Sequence, residues 1–290
     1  MQAHRGGRGL APENTLAAFR NAMEMGIITM EADLGITADE IVVVSHDLRL
    51  NPDLVRDTDG AWIEPPGHRL IGLTLDELKR FDIGRLNPQT KYGQRLPDQK
   101  AIDGERFPTL AELYALGGPT RRYSLETKID LTQPEETVSP QEFARLVVDA
   151  VRKAGMEKRT MIQSFDWRTL VEVKKLAPEI ETSCLTMDTR RLNTTGPRPS
   201  PWLAGFDVAP GGSIQQQAKA AGCSIWSPLW INIDAAKVAE AHQLGLKVIP
   251  WTVNAPSDMK MLIGLKVDGL ITDYPDRGLQ VVKELGLKLD

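Results

Sequence analysis

Short apolar runs alternate with amphipathic stretches along most of the chain. The runs are rich in Val, Ile and Leu, which predicts strands, and the stretches between them place apolar residues at helical spacing. Alternating strands and helices predict a parallel sheet, and eight strand-then-helix units in 290 residues favour a closed (β/α)8 TIM barrel. The units are predicted near residues 4, 31, 126, 163, 185, 225, 249 and 271.

A doubly wound open sheet is the alternative α/β fold. It is less favoured because the chain has no Walker A sequence and no GxGxxG sequence after a predicted strand.

Residues 1–50 combine short apolar runs with many polar residues that could take part in chemistry. A strand is predicted over residues 1–5, followed by a glycine-rich loop and a helix that Asn14 or Thr15 can cap and that ends at Gly26. Strands are predicted over residues 27–34 and 41–45. The turn-like residues 37–40 between them favour a hairpin with His46 at its end.

Residues 50–108 differ in character from the rest of the chain. They are rich in Pro, Gly, Asp and Arg, and they contain one clear helical pattern, at residues 74–81. We therefore predict a single barrel domain over residues 1–290, with a small insertion after the second strand at residues 47–108.

The regular rhythm resumes at Thr109 and continues to the C-terminal region. Strands are predicted over residues 123–128, 160–165, 182–186, 224–227, 247–253 and 269–272. Helices are predicted over residues 141–154, 167–176, 214–221, 234–244 and 257–262, and from residue 275 onwards.

Composition excludes some classes of partner. The net charge is −4 and no Lys/Arg block is present, so no nucleic-acid partner is expected. No apolar run reaches the ~18 residues of a membrane span, so no integral membrane segment is expected. A signal peptide has no room before His4, which leaves the compartment open: cytoplasmic as written, periplasmic or secreted if a signal has been removed.

Cys184 and Cys223 have no metal-binding spacing and are interpreted as small core residues.

Polar residues lie where the predicted strands end. The carboxyl ends of barrel strands are where active sites form, and three carboxylates are predicted there: Glu31, Asp33 and Glu126. Residues two apart on a strand point the same way, so Glu31 and Asp33 share a face. One such pair alone would be interpreted as a solvated edge or a salt-bridge partner. Two neighbouring pairs favour a divalent metal site, and oxygen ligands favour Mg²⁺ or Ca²⁺.

Two of the four histidines, His4 and His46, flank these carboxylates in the predicted fold. Imidazole titrates near neutral pH, so the pair suits general acid–base catalysis, whereas His68 and His242 are interpreted as structural. Arg5 beside Gly6, together with Lys128, suits an anionic oxygen, although Arg5 taken alone could equally be a salt-bridge partner. The combination indicates phosphoryl chemistry.

The chain resembles the glycerophosphodiester phosphodiesterase family. The motifs cover nearly the whole chain apart from the insertion and residues 188–222. Their order is specific although each motif alone is weak. They are His4-Arg5-Gly6, Pro12-Glu13-Asn14-Thr15 with Phe19, Glu31-x-Asp33, His46-Asp47, Glu126-x-Lys128, Gln163-Ser164-Phe165, Trp251-Thr252, Asp268-Gly269 and Thr272-Asp273-Tyr274-Pro275.

The resemblance implies a (β/α)8 barrel that hydrolyses small glycerophosphodiesters to an alcohol and glycerol 3-phosphate with a divalent cation. It implies an acid–base role for His4 and His46, and phosphate binding by Arg5 and Lys128. Trp251 would line the pocket, and the metal would be held by Glu31, Asp33 and Glu126. The chain departs from the family pattern at Thr37-Ala38-Asp39-Glu40 and in the expanded stretch after Asp47, which affects the pocket rim and so the substrate.

Two other functions remain open from the sequence. A lysophospholipase D or sphingomyelinase-like enzyme could use the same residues on a lipid, with an apolar groove formed by tryptophans. Ordinary core or rim packing is the favoured interpretation of those tryptophans, which are Trp62, Trp202, Trp226 and Trp230. A catalytically silent phosphate-binding module is less favoured, because such a module does not need an acid–base pair.

Overall fold

The strands form one mixed sheet in which eight strands run parallel. The computed structural model describes residues 1–207 and 211–289. Within those residues the hydrogen-bonded order is β8-β7-β6-β5-β4-β2-β1-β9, and β3 is antiparallel to β2 at the side. The strands are β1 (Gln2–Ala3), β2 (Thr29–Ile36), β3 (Val42–Val44), β4 (Arg122–Thr127), β5 (Thr160–Ser164), β6 (Glu181–Thr186), β7 (Ile225–Pro228), β8 (Lys247–Val248) and β9 (Ile271–Thr272).

Helices follow most of the parallel strands, so the molecule is an α/β fold of the TIM-barrel-like kind. The helices in the described ranges are α1 (Leu16–Glu24), α2 (Leu75–Leu78), α3 (Leu110–Gly117), α4 (Pro140–Lys153), α5 (Trp167–Leu176), α6 (Ile214–Ala220), α7 (Ala235–Gln243), α8 (Pro256–Gly264) and α9 (Pro275–Glu284). Side-chain hydrogen bonds set where several of these helices begin. The hydroxyl of Thr15 accepts a hydrogen bond from the Ala18 amide, and Thr109 and Glu112 form a capping box.

The predicted elements agree with the structure to within a few residues in most places. The hairpin is confirmed, since Leu34 pairs with Val44 across β2 and β3. The helix predicted over residues 74–81 is shorter and spans Leu75–Leu78.

Two predicted strands are wrong in extent. The first ends at Ala3, because His4–Gly6 forms a 3₁₀ turn in which Arg5 has a φ of 52°. Gly6 has a φ of 80°, and a Cβ atom there would lie 2.8 Å from the Cβ of Ala18, so only glycine fits. The strand predicted over residues 247–253 is reduced to β8, because Pro250 has no N–H to donate on the β9 side, although the Trp251 amide still donates to the Pro228 carbonyl at 3.1 Å.

The interpretation of the cysteines as plain core residues is incomplete. Cys184 and Cys223 are buried as expected, but they form a disulfide with a Cα–Cα distance of 5.9 Å. The 39 residues that separate them along the chain conceal the pairing, which arises because β6 and β7 are neighbours in the sheet.

Residues between β3 and α3 have an apolar cluster of their own, separate from the larger core beneath the helices. Its buried members are Val43, Leu50, Val55, Leu70, Leu78, Ile83 and Phe107. Across the described ranges, no helix combines the length and the apolar character that a bilayer crossing requires.

Candidate active site

Three carboxylates meet on two neighbouring parallel strands. Glu31 and Asp33 lie on β2 and Glu126 on β4, where Asp33 and Glu126 are register partners. Each offers one oxygen, and these oxygens all lie within 4.8 Å of one another. All three residues are buried, so their mutual repulsion is poorly screened by water.

Neutral donors fix the orientation of two of these carboxylates. Gln163 Nε2 donates to Glu31 Oε1 at 2.9 Å, and the Arg5 amide donates to Glu31 Oε2 at 2.8 Å. Asn14 Nδ2 donates to Asp33 Oδ2 at 3.0 Å. The other oxygen, Asp33 Oδ1, is buried and has no hydrogen-bond partner among the described residues.

The electrostatics of the cluster fit a bound cation. Burial raises the pKa of Glu31 well above its ordinary value, and the charges of Asp33 and Glu126 raise it further. Burial would raise the pKa of Asp33 as well, but the charges of Arg5 and Lys128 hold it well below its usual range. A set of three buried carboxylates, one oxygen of which accepts no hydrogen bond, could hold a divalent metal ion.

The two predicted phosphate-binding cations lie against the same cluster. Lys128 Nζ lies 2.6 Å from Glu126 Oε1 and 3.6 Å from Asp33 Oδ1. Arg5 Nε lies 3.0 Å from Asp33 Oδ2, and its Nη1 donates to Glu13 Oε1 at 2.6 Å. Both cations are therefore paired with carboxylates, and each also lines the cavity described below.

His4 is held by a buried carboxylate that the sequence interpretation did not place in the site. His4 Nδ1 lies 2.5 Å from Asp273 Oδ1, and Asp273 also accepts from Arg8 Nε at 2.7 Å and from Asn254 Nδ2 at 2.8 Å. Burial alone would raise the pKa of Asp273, but His4 and Arg8 hold it well below its usual value, so it is an acceptor. Nδ1 of His4 therefore carries the proton, and Nε2 is left to accept one.

Burial has a second effect on His4. It lowers the pKa of His4 to about 4, even though Asp273 acts in the opposite direction. The imidazole is therefore neutral at pH 7. Its Nε2 lies 4.0 Å from Glu31 Oε2, at the edge of the carboxylate cluster.

His46 has a parallel arrangement at the end of β3. Its Nδ1 lies 2.9 Å from Asp47 Oδ1, and Asn51 Nδ2 donates to Asp47 Oδ2 at 2.7 Å. Burial would raise the pKa of Asp47, but the hydrogen bond to His46 lowers it to about 2, so this carboxylate is ionised at neutral pH. His46 is half-exposed, whereas His4 is buried.

One cavity of about 130 Å³ contains the predicted site residues other than Asp33. Its polar wall is built from the histidines, the cations and the carboxylates, and its apolar wall includes Phe165 and Trp251, whose rings pack edge to face at 5.3 Å. The lining residues are His4, Arg5, Arg8, Glu31, His46, Glu126, Lys128, Gln163, Phe165, Leu185, Trp251, Thr252 and Ile271.

Sequence reasoning assigned no catalytic, substrate-binding or metal-binding role to several residues that hold this site, namely Arg8, Glu13, Asn14, Gln163, Asn254 and Asp273. Asp273 had a usable signal, because it follows β9, and a barrel places the last strand beside the first, which bears His4. Arg8 and Asn254 had no comparable signal, since their shared partner Asp273 lies 265 and 19 positions away along the chain.

The remaining histidines and tryptophans lie elsewhere. His242 Nε2 lies 2.9 Å from Asp268 Oδ2 on the outside of the molecule, and His68 lies near Phe81 in the 47–108 region. Of the tryptophans in the described residues, Trp251 lines the cavity that holds His4 and His46. Trp226 is buried and donates to Thr186 Oγ1, as its core interpretation predicts.

Comparison with known proteins finds relatives of one family. The family model of the glycerophosphoryl diester phosphodiesterase family matches residues 4–277. A glycerophosphodiester phosphodiesterase from Caldanaerobacter subterraneus subsp. tengcongensis is 29% identical over 284 residues, which cover 98% of both chains.

Solved structures agree in fold. A proposed glycerophosphoryl diester phosphodiesterase from Silicibacter pomeroyi is 34% identical, with a TM-score of 0.89, and covers 100% of this chain and 94% of its own. An Oleispira antarctica phosphodiesterase solved with its product sn-glycerol-3-phosphate is 25% identical, with a TM-score of 0.72, over 97% of this chain and 96% of its own. The chain therefore belongs to the glycerophosphoryl diester phosphodiesterase family.

Proposed function

We propose that the protein is a metal-dependent phosphodiesterase that hydrolyses small glycerophosphodiesters to an alcohol and glycerol 3-phosphate. The observation that carries the proposal is the placement of two histidines, each with Nδ1 against an ionised carboxylate, beside one cluster of three buried carboxylates. The product complex of the Oleispira antarctica relative supports the glycerol 3-phosphate arm.

His4 is the proposed general base. Its imidazole is neutral, Asp273 fixes its Nδ1–H, and its Nε2 can take a proton from the nucleophile. The nucleophile is either water or the neighbouring hydroxyl of the glycerol arm. The second choice gives a cyclic phosphate first.

His46 is the proposed general acid. The ionised Asp47 lies against its Nδ1, which leaves Nε2 as the nitrogen that can give a proton to the departing alkoxide. Arg5 and Lys128 lie on the same cavity wall, where their charges would stabilise the phosphate oxygens. Trp251 would pack against the carbon skeleton of the substrate.

Glu31, Asp33 and Glu126 would hold one divalent cation, Mg²⁺ or Ca²⁺. When bound, such a cation supplies Lewis-acid polarisation of the phosphodiester. Lys128 and Arg5, which already contact these carboxylates, would then be freer to turn toward the phosphate.

The finer architecture that we propose is a closed (β/α)8 barrel with residues 47–108 as an insertion subdomain. Closure is supported by backbone hydrogen bonds at the two ends of the strand order: the amide of Ile271 donates to the Pro250 carbonyl at 3.0 Å, and the amide of Val253 donates to the Ile271 carbonyl at 2.9 Å. The separate apolar cluster of the inserted region supports the second part.

The roles of the two histidines can be separated by the leaving group. Replacing either His4 or His46 by Ala should lower kcat for glycerophosphocholine by roughly a hundredfold or more. A glycerophosphodiester of 4-nitrophenol, whose departing anion needs no proton, should restore the rate of the His46→Ala variant but not that of His4→Ala.

His242→Ala is the matched control, because His242 also lies against a carboxylate but outside the cavity. Its rates should equal those of the wild type. EDTA should abolish activity, and Mg²⁺ or Ca²⁺ should restore it. Near-normal turnover in both site variants, or full activity after exhaustive metal removal, contradicts the proposal.

A further inference from the structure

A second cavity opens directly beside the first. It has a volume of about 310 Å³ and lies between the loop after β3 and the loop after β4. Its wall shares His46 and Lys128 with the catalytic cavity, so the two spaces adjoin at the proposed general acid. We call it the head-group cavity. Its charged and titratable lining residues are His46, Asp47, Arg49, Lys128, Asp130 and Glu136.

The volume of the head-group cavity suits the alcohol arm of a diester, for which the catalytic cavity has little room. Pockets that enclose small molecules usually measure about 300–1,000 Å³. The catalytic cavity, at about 130 Å³, has room for the phosphate and little more. The alcohol arm of a diester leaves from the side of the general acid, which is where the head-group cavity begins.

Charges of both signs line this cavity, and Arg49 and Lys128 each pair with a glutamate, whereas Asp130 has only neutral hydrogen-bond partners. Three carboxylates line it, from Asp47, Asp130 and Glu136. Lys128 is paired with Glu126, on the side of the carboxylate cluster. Asp130 accepts hydrogen bonds from Thr132 and Gln133, which are neutral, so no cation cancels its charge in those bonds.

Glu136 gives an independent sign that a donor belongs here. It is 3% exposed, and its Oε1 accepts from Arg49 Nη2 at 2.6 Å. Its Oε2 is buried and has no hydrogen-bond partner within residues 1–207 and 211–289. A buried acceptor without a donor is costly, and a ligand that supplies a charged N–H group would relieve that cost.

Building on the proposed function, we propose that the head-group cavity binds the alcohol arm of the diester and selects alcohols that carry a protonated amine. The ammonium would lie on the side of Asp130 and Glu136, where its N–H groups could donate to a carboxylate with only neutral partners and to the unsatisfied Oε2 of Glu136. A neutral polyol could donate hydrogen bonds to these carboxylates but would lack the attraction between opposite charges. A quaternary ammonium would have that attraction but has no N–H group to donate.

The test compares three diesters that share the glycerol phosphate and differ in the alcohol. We expect kcat/KM for glycerophosphoethanolamine to exceed that for glycerophosphoglycerol about tenfold, with glycerophosphocholine between them. Glu136→Gln and Asp130→Asn should each reduce the ethanolamine-to-glycerol ratio about fivefold, mainly through KM. Two variants are used because Glu136→Gln also breaks the ion pair with Arg49, whereas Asn at position 130 keeps an acceptor for Thr132.

Asp188→Asn is the matched control, since Asp188 is an exposed carboxylate on the loop after β6 and lies outside the cavity. It should leave all three values unchanged. Equal kcat/KM for the three diesters, a preference for choline over ethanolamine, or an unchanged ratio in both folded variants overturns the head-group inference alone. Failure to hydrolyse any of the three overturns the proposed function itself.

Discussion

At the scale of single residues, the strongest constraint in the site is the hydrogen bond between His4 and Asp273. The 2.5 Å contact at Nδ1 sets the tautomer, and Arg8 and Asn254 hold the carboxylate from its other sides. Positioning of this kind makes the imidazole an oriented base, since only one of its nitrogens can accept a proton. This arrangement has an energetic cost, because His4 is 8% exposed and must remain neutral in the folded protein.

That cost predicts a pH dependence of stability. Burial lowers the pKa of His4 to about 4 in the folded protein, whereas the unfolded chain has the ordinary value of about 6.5. The unfolded state therefore binds more protons between these values. The contribution of His4 is complete above pH 6.5 and is lost as the pH falls through 4, with a total of roughly 3 kcal/mol.

The measurement is the free energy of unfolding in urea at pH 7 and pH 4, in EDTA so that no metal contributes. The wild type should lose about 3 kcal/mol more than a His4→Gln variant over this interval. Equal losses in the two proteins would show that His4 is not buried in its neutral form.

At the scale of elements, the 47–108 region contacts residues that hold the candidate site. Tyr92 accepts a hydrogen bond from Arg8 Nη1 at 2.9 Å and donates to Glu13 Oε2, and these two residues hold Asp273 and Arg5. The amide of Lys100 also donates to the Leu10 carbonyl at 3.0 Å. The segment thus fixes the loop that carries His4, Arg5 and Gly6.

Removal of the Tyr92 hydroxyl tests this connection. Tyr92→Phe should lower kcat/KM about tenfold, because Arg8 and Glu13 lose a shared partner, and should lower the free energy of unfolding by about 1–2 kcal/mol. Tyr114→Phe is the matched control, since its hydroxyl bonds to Thr160 Oγ1 at 2.8 Å, away from the cavity.

Stability and activity are measured on both variants. Tyr114→Phe should lose similar stability and keep full activity. If the two variants lose kcat/KM equally, the effect of Tyr92 is a general loss of stability and not a contact with the site.

At the scale of the whole molecule, the disulfide joins two neighbouring units of the sheet. Cys184 lies on β6 and Cys223 precedes β7, so the bond closes the long connection that contains α6. Cross-links of this kind stabilise chiefly by restricting the unfolded chain, and a loop of this length is expected to contribute about 2–4 kcal/mol.

Reduction should therefore lower the free energy of unfolding of the wild type by about 2–4 kcal/mol and leave a Cys184→Ala/Cys223→Ala double variant unaffected by the reductant. Urea unfolding with and without dithiothreitol measures this, and thiol titration of the denatured protein should find no free thiol before reduction. Two free thiols in the untreated protein would exclude the disulfide.

The sequence by itself determined the order of elements and the chemistry of the site. Apolar runs and helical spacing are local patterns, so most strands and helices lie within a few residues of their predicted positions. The convergence of Glu31, Asp33 and Glu126 was also predictable, because parallel strands bring their carboxyl ends to one edge and residues two apart share a face.

Tertiary structure alone decided the rest, because it depends on contacts between residues far apart in the chain. Asp273 reaches His4 across 269 residues, Tyr92 reaches Glu13 across 79, and Cys184 bonds to Cys223 across 39. Gly6, in the turn that follows β1, likewise packs closely against Ala18 of α1. Local periodicity carries no information about such pairings, so the sequence supplied the catalytic groups while the fold set their orientation, protonation and surroundings.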